Sequence, residues 1–355
     1  MVQLIDSLEA GGAERMAVNY ANALHRNVGF GALVATRAEG NLKKELIAEV
    51  KYCCLNRKST LDFKALLLLR HFVIRHQITH VHTHTSSLFF GVLLKFLLPR
   101  LQLIWHDHYG KSEMVAERKV FALRVASWFV SKIVAVNQQL VTWARANLYC
   151  KAVLFLPNFT SDNEVNSEPS TYLRGIAGKR IVCLANLRPQ KNHFLLLHIA
   201  KELHFFHPEW TFHLVGKDFE DSYSRNVKKE LEALDLTDVV YIYGSRSDVP
   251  FVLRQATIGI LTSASEGLPM ALLEYGLQGI AVVSTNVGEI PSVLSSKEGI
   301  LLSSTDKEGF VLALKSLIED VDLRSSLAAH LHQKIILNYT EKAVIALYLE
   351  GIHDT

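Results

Sequence analysis

Cysteine is scarce in this chain, and the four present, Cys53, Cys54, Cys150 and Cys183, form no CxxC pair and no repeated spacing. That sets aside a disulfide framework and leaves free thiols in a reducing compartment, so a cytoplasmic setting is expected. No uninterrupted apolar run spans a bilayer either. The nearest candidate, Leu88 to Trp105 (LFFGVLLKFLLPRLQLIW), carries Lys95, Pro99 and Arg100. It reads as a buried or interfacial helix ending near Leu98 and followed by the short strand QLIW. The opening MVQLIDSLEAGG contains Asp6 and lacks a basic region ahead of a long apolar segment, so neither cleavage nor export is expected. Zinc-finger spacing, a recognition helix and a basic-aromatic strand motif are also missing, which leaves no case for nucleic acid.

What is there suffices for two cores: 355 residues, 49% hydrophobic and 21% charged, suggest about two domains. Charge is divided unevenly. Residues 1–157 carry 20 Lys+Arg against 10 Asp+Glu, and residues 158–355 carry 18 against 25, so +10 and −7 make the net +3. A basic first half suits an anionic membrane surface or a phosphate-bearing acceptor, with a merely solvated basic face as the alternative.

Strands alternate with helices twice over, the pattern of doubly wound parallel sheets covered on both faces. The first series is VQLIDSL, a helix from about Ala13 to His25, GALVAT, ITHVHTH, QLIW, SKIVAV and KAVLFLPNF. The second is RIVCLANL, a helix from about Asn192 to Phe206, TFHLVG, a charged helix around 223–234, VVYIYG, IGILTS and AVVSTN. Between them residues 161–179 are polar and read as a linker, separating domains at 1–160 and 180–335.

Such sheets bind ligands beyond the carboxyl ends of their strands. Gly11 and Gly12 follow the first strand, His82 and His84 a later one, and His106, Asp107 and His108 follow QLIW. In the second half Arg188 and Lys191 follow LANL, Gly216 follows TFHLV, and SASEGLPMALLEYG follows the strand ending at Ser263. A helix starting near Pro269 would offer unpaired N–H groups and a positive dipole end to phosphate, with Gly267 allowing close backbone approach. Carboxylates repel phosphate, so Glu266 in the loop and Glu274 on the second turn would accept from hydroxyls, Glu266 from a sugar and Glu274 from a ribose. Phosphate and hydroxyls together describe a nucleotide sugar. The plainer alternative makes Glu266 a helix cap and Glu274 a surface acid.

The stretch SASEGLPMALLEYGLQGIAVVSTNVGE resembles the E-x7-E signature of retaining family 4 glycosyltransferases with the GT-B fold. SLEAGGAERMAVNYANAL is similar to that family's Gly-rich first loop, ANLRPQKN to its diphosphate loop and VVYIYGSRSDVP to its base-side loop. The resemblance implies two Rossmann-like domains facing an interdomain cleft, with a C-terminal helix from about 336 to 355 packing back on the first. It implies that Arg188 and Lys191 neutralise the donor diphosphate, Glu274 holds the ribose and Glu266 meets the transferred sugar. Gly216, Gly244, Gly267, Leu268 and Pro269 would line the donor, Gly11 and Gly12 would cover it, and His106 would be the first domain's catalytic histidine. A nucleoside-diphosphate sugar is then the co-substrate, with no divalent metal required. The acceptor would be a glycan or polyprenyl-linked oligosaccharide of cell-surface polysaccharide (O-antigen, capsule or exopolysaccharide), met on the inner face of the cytoplasmic membrane. Competing readings are a nucleotide-sugar epimerase, an inactive nucleotide-sugar-binding protein, and a metal-dependent hydrolase using His80, His82 and His84.

Overall fold

A computed structural model describes residues 1–9, 11–109, 115, 117–160 and 169–353. The first part of the expected linker, 161–168, lies outside the described residues. The chain divides into two compact units, residues 1–161 with 341–355, and residues 162–340.

In the first unit the strands are β1 (Val2–Ser7), β2 (Ala32–Ala38), β3 (Lys51–Cys54), β4 (His80–His84), β5 (Gln102–Asp107), β6 (Lys132–Ala135) and β7 (Val153–Phe155). They form one parallel sheet in the order β3-β2-β1-β4-β5-β6-β7. Its helices are α1 (Gly12–Val28), α2 (Phe63–Arg75), α3 (Leu88–Leu97), α4 (Phe121–Ser127) and α5 (Gln138–Asn147). Side chains alternate along each strand, so the sheet has two chemically different faces. One face is apolar: Leu4, Val34, Val81, Leu103, Trp105 and Ile133 pack under Leu69 and Phe72 of α2, Leu94 of α3 and Leu140 of α5. The other is mixed: Ile5, Leu33 and Ala35 pack against Ala17, Val18 and Ala21 of α1, while Gln3, His82, His84 and His106 lie beside them on β1, β4 and β5, in the registers Gln3↔His82 and His84↔His106.

The second unit repeats the plan with β8 (Arg180–Leu184), β9 (Thr211–Val215), β10 (Val240–Gly244), β11 (Ile258–Leu261), β12 (Ala281–Thr285) and β13 (Ile300–Leu302). All are parallel, in the order β10-β9-β8-β11-β12-β13. Its helices are α6 (His193–Phe206), α7 (Ser222–Ala233), α8 (Val249–Arg254), α9 (Met270–Leu277), α10 (Ile290–Val293), α11 (Lys307–Glu319) and α12 (Val321–Asn338). Leu196, Leu203, Val227 and Leu314 cover one face, while Leu253, Leu272, Tyr275 and Leu331 cover the other, so both faces of this sheet are largely apolar.

The C-terminal helix expected from 336 is two helices. α12 continues to Asn338 in the second unit, and α13 (Glu341–His353) belongs to the first. There Glu341 pairs with Arg26 of α1, and Tyr348 reaches His82 of β4 at 2.7 Å. Among the described residues no helix is long and apolar enough to cross a membrane, and Leu88 to Trp105 is helix then strand.

Candidate functional site

In the second sheet the strand order reverses between β8 and β11, the place where open parallel sheets bind ligands beyond the carboxyl ends of their strands. Residues 185–192 leave β8 and residues 262–269 leave β11. The two segments are tied: Ala264 N–H donates to the Gln190 carbonyl at 2.8 Å and Thr262 Oγ1 to the Lys191 carbonyl at 3.0 Å. At the same place the Lys191 ammonium pairs with the Glu266 carboxylate, which also accepts from Ser263 Oγ at 2.7 Å. Glu266 is only 7% exposed, and the cation and the hydroxyl donor offset the cost of burying its polar atoms.

Positive charge gathers beside this pair. Arg188 is exposed, its guanidinium 4.3 Å from the centre of the Phe219 ring, and Lys217 Nζ stands 5.2 Å from the same ring. Local pattern does not single out Lys217 and Phe219, although Lys217 follows β9 as Arg188 follows β8. The backbone brings them together: Lys217 N–H donates to Asn186 Oδ1 at 2.8 Å, and Leu187 N–H to the Lys217 carbonyl at 2.9 Å. Gly216 permits this approach, since a Cβ there would lie 2.2 Å from the Ala185 carbonyl oxygen. Its N–H donates to the carbonyl of Gly244, which has φ +71.

The Glu266 turn rests on a glycine at the end of the signature stretch, whose part in the turn local pattern does not give. Gly288, in the segment NVGE, has φ +57, and a Cβ there would sit 1.9 Å from the Glu266 carbonyl oxygen. Glu289 N–H then donates to the Gly267 carbonyl at 3.0 Å, while the Cβ direction of Gly267 itself opens on free space. Pro269 is the N-cap of α9, one position before the expected first turn, and Leu268 is buried in the core beneath it.

Glu274 is half-buried on the second turn of α9. Its neighbour Tyr275 fixes that helix to the sheet: the hydroxyl accepts from Leu184 N–H at 2.7 Å and donates to the Val182 carbonyl at 3.2 Å. The ring lies where a Cβ on Gly259 would come within 2.7 Å. In the segment VVYIYGSRSDVP, Asp248 is occupied by Ser170 and Thr171, accepting from their N–H groups at 2.8 and 2.7 Å. Burial pushes the Cys183 thiol up to about 12, which removes it as a nucleophile beside the pair. The one Asp-x-Asp triplet, Asp320-Val321-Asp322, is exposed at the start of α12, where Asp320 caps the helix by accepting from Leu323 N–H at 2.8 Å.

Two family models match the chain and divide it as the sheets do: Glycosyltransferase Family 4 over residues 10–162 and Glycosyl transferases group 1 over residues 176–332. The chain belongs to the family 4, group 1 glycosyltransferases.

Among its relatives, one component of the human phosphatidylinositol N-acetylglucosaminyltransferase is 28% identical over 79% of this chain, which spans 60% of the human protein's length. An Escherichia coli UDP-Gal:alpha-D-GlcNAc-diphosphoundecaprenol alpha-1,3-galactosyltransferase is 23% identical over 75% of this chain and 73% of its own. The solved structure of Anabaena HepE in complex with UDP and glucose superposes with a TM-score of 0.82 at 17% identity, covering 100% of this chain and 99% of that one, which establishes the GT-B fold.

The first unit of this family 4 glycosyltransferase departs from expectation at its histidines. His82, His84 and His106 do not follow their strands but lie within β4 and β5, since β5 continues two residues beyond QLIW. His106, expected as the first domain's catalytic histidine, is fully buried with no hydrogen-bond partner on either ring nitrogen among the described residues. The half-buried histidine there is His108, stacked on His106 at 3.9 Å and bonded through Nε2 to His84 Nδ1 at 3.0 Å. Burial pushes His108 down to about 3 and holds His82, His84 and His106 well below the usual imidazole range. His80 stands apart, half-buried and paired with Thr79, so the close group is His82, His84 and His106 rather than His80, His82 and His84. Sealed inside the unit, that group offers no face to the substrate of a hydrolase. Gly11 is the extended N-cap of α1 and Gly12 its first residue, with free space at the Cβ position of Gly12.

Proposed function

We propose that the chain transfers a sugar, with retention of anomeric configuration, from a nucleoside-diphosphate sugar to a lipid-linked glycan acceptor in cell-surface polysaccharide assembly. The observation that carries this reading is the pair of half-buried Lys191 and buried Glu266, which joins the exits of β8 and β11 where the strand order reverses, with Arg188 and Lys217 beside it. The cations would neutralise the diphosphate leaving group as the bond from the anomeric carbon to its phosphate oxygen breaks. The acceptor hydroxyl attacks the same face, and its proton passes to the departing phosphate. Glu266, held by Lys191 and Ser263, accepts from a sugar hydroxyl, and Glu274 from the ribose. No protein nucleophile and no divalent metal enter these steps.

The lipid-linked acceptor is supported by the two relatives named for phosphatidylinositol and diphosphoundecaprenol substrates. It is also supported by the surface of α2, α3 and α4, where Phe63, Phe96, Phe121 and Trp128 are 60–81% exposed among the exposed basic residues Lys64, Arg70 and Lys119. Large apolar side chains beside cations suit peripheral contact with the anionic inner face of a cytoplasmic membrane.

The test is a screen of nucleotide sugars for binding to the purified protein, followed by nucleoside diphosphate release with membrane extract. Release that depends on the extract, persists in EDTA and yields a product of unchanged anomeric configuration is expected. Sugar interconversion with the nucleotide still attached, or binding without release, overturns the reading. Sedimentation with anionic vesicles, weakened by Phe121→Ser with Trp128→Ser, tests the membrane contact.

A further inference from the structure

The mixed face of the first sheet holds more unanswered chemistry than any other part of the chain. Five buried side-chain atoms there have no hydrogen-bond partner among the described residues: Gln3 Nε2, His82 Nε2, His106 Nδ1 and His106 Nε2 on the strands, and Tyr20 Oη on α1. An unpaired buried polar group is destabilising, and native domains leave few of them. The three imidazole nitrogens among them, on the adjacent strands β4 and β5, call for an occupant that nitrogen lone pairs can bind.

We infer that His82, His84 and His106 form a binding site for a single divalent transition-metal ion of the zinc, cobalt and nickel class, enclosed between the first sheet and helices α1 and α13. One nitrogen from each ring can be chosen so that all three lie within 4.8 Å of one another. Metal–nitrogen bonds of about 2.0–2.1 Å require the rings to close by roughly an ångström, a movement that side-chain rotation supplies. The surroundings already match what metal-bound imidazoles need. Each such ring uses its second nitrogen on an outer partner that fixes its orientation and tautomer. His82 Nδ1 is held by Tyr348 Oη at 2.7 Å, which leaves Nε2 for the ion. His84 Nε2 faces Gln3 Oε1 at 2.8 Å; an oxygen there can only accept, so this nitrogen carries the proton and Nδ1 is the lone pair. His106 has both nitrogens available.

The donor set is three neutral imidazoles, which suits borderline ions over calcium or magnesium. The fourth position falls to His108, now 3.0 Å from His84 Nδ1, or to water. Because Tyr348 lies on α13 and Tyr20 on α1, the site is complete only when the terminal helix is docked. Metal binding therefore stabilises that docking, and loading is slow in the folded protein or occurs during folding. The ion sits behind the sheet's end and supplies nothing to the proposed transfer.

The experiment uses the full chain without an affinity tag, unfolded, stripped with chelator and refolded with zinc, with cobalt or with chelator alone. The expected result is one zinc per chain after gel filtration, a cobalt form with the intense visible absorption of a tetrahedral nitrogen site, and a melting temperature several degrees above the chelator-refolded sample. His106→Phe and His82→Phe should each abolish the absorption, while His80→Ala leaves it unchanged. Wild-type protein that refolds equally well in chelator and retains no stoichiometric metal overturns the proposal, even if the His106 and His82 variants fail to fold. So does metal retained in full by a folded His106→Phe chain. Neither donor nor acceptor is present, so failure here leaves the glycosyl-transfer reading standing.

Discussion

The two units share one topology and use their polar residues in opposite ways. In the first, imidazoles lie within β4 and β5 on a face covered by α1 and α13, whose Tyr20 and Tyr348 pack against them, and burial keeps those imidazoles neutral. In the second, formal charges stand at the strand ends: Lys191 with Glu266, and Arg188 with Lys217 over one aromatic ring. Depth decides which chemistry survives. A charge in mid-sheet would need compensation that an apolar interior does not supply, whereas at the strand ends an opposite charge, loop donors and ligand phosphate are all within reach. Removing the charged pair breaks the contrast most severely. Glu266→Gln and Lys191→Met should each lower turnover about 100-fold or more, and the double variant should lose little beyond the worse single, since each change strands the other partner. Rates with saturating donor check this. Additive losses would mean the two side chains act separately.

Next in size is the backbone beneath that pair. Gly288→Ala puts a left-handed φ of +57 on a residue with a Cβ, and that Cβ overlaps the Glu266 carbonyl. Strain and overlap together should cost about 2–4 kcal/mol of stability, read as a lower denaturant midpoint with weakened donor binding. The same change at Gly267, where the Cβ direction is open, should leave the midpoint almost unmoved. If the two behave alike, the turn is softer than its geometry implies.

Local pattern reveals the strand interiors and hides what depends on partners far away in the chain. RIVCL, TFHLV, IGIL and AVVST are apolar and β-branched, so they declare themselves. KYCC and ILL, which form the edge strands β3 and β13, are too short to carry a period. The apolar pattern of β5 stops at Trp105 because His106 and Asp107 are polar, yet the strand runs through them. Asp107 is buried against Arg118, and the cover of the opposite face includes Tyr348, 266 positions beyond the His82 it bonds. The site is legible where charge types recur at strand ends, as with Arg188, Lys191, Glu266 and Glu274. Lys217, Phe219 and Gly288 stay hidden because their significance lies in contacts between loops that only the folded sheet brings together.

Acid sharpens the comparison from the second unit's side, because that unit also buries two imidazoles. Burial pushes His193 down to about 4 and His213 down to about 3, against about 6.5 in an unfolded chain. Between those values the unfolded state binds protons that the folded state refuses, so stability falls as the pH drops below about 6.5 and continues falling to the folded values. The slope is about 1.4 kcal/mol per pH unit for each group, and above neutrality the two contribute no slope. Denaturant midpoints at a series of pH values measure it. His193→Asn should remove one group's share while leaving behaviour at pH 8 nearly unchanged in slope.

The smallest effect separates positioning from charge. Tyr275 touches no proposed ligand, but its hydroxyl accepts from Leu184 N–H at the end of β8 and donates to the Val182 carbonyl. It thereby holds α9, and with it Glu274, against the strand whose exit carries Arg188 and Lys191. Tyr275→Phe keeps the ring packed on Gly259 and removes only those bonds, costing about 1 kcal/mol. If Glu274 acts by gripping the donor's ribose, the loosened helix should raise KM for the donor a few-fold and leave kcat close to the parent value. Glu274→Ala in the Tyr275→Phe background should then add less than it does alone, since the variant has already given up part of that grip. A kcat loss without a KM change would move the hydroxyl's role from donor placement to the reacting end of the site.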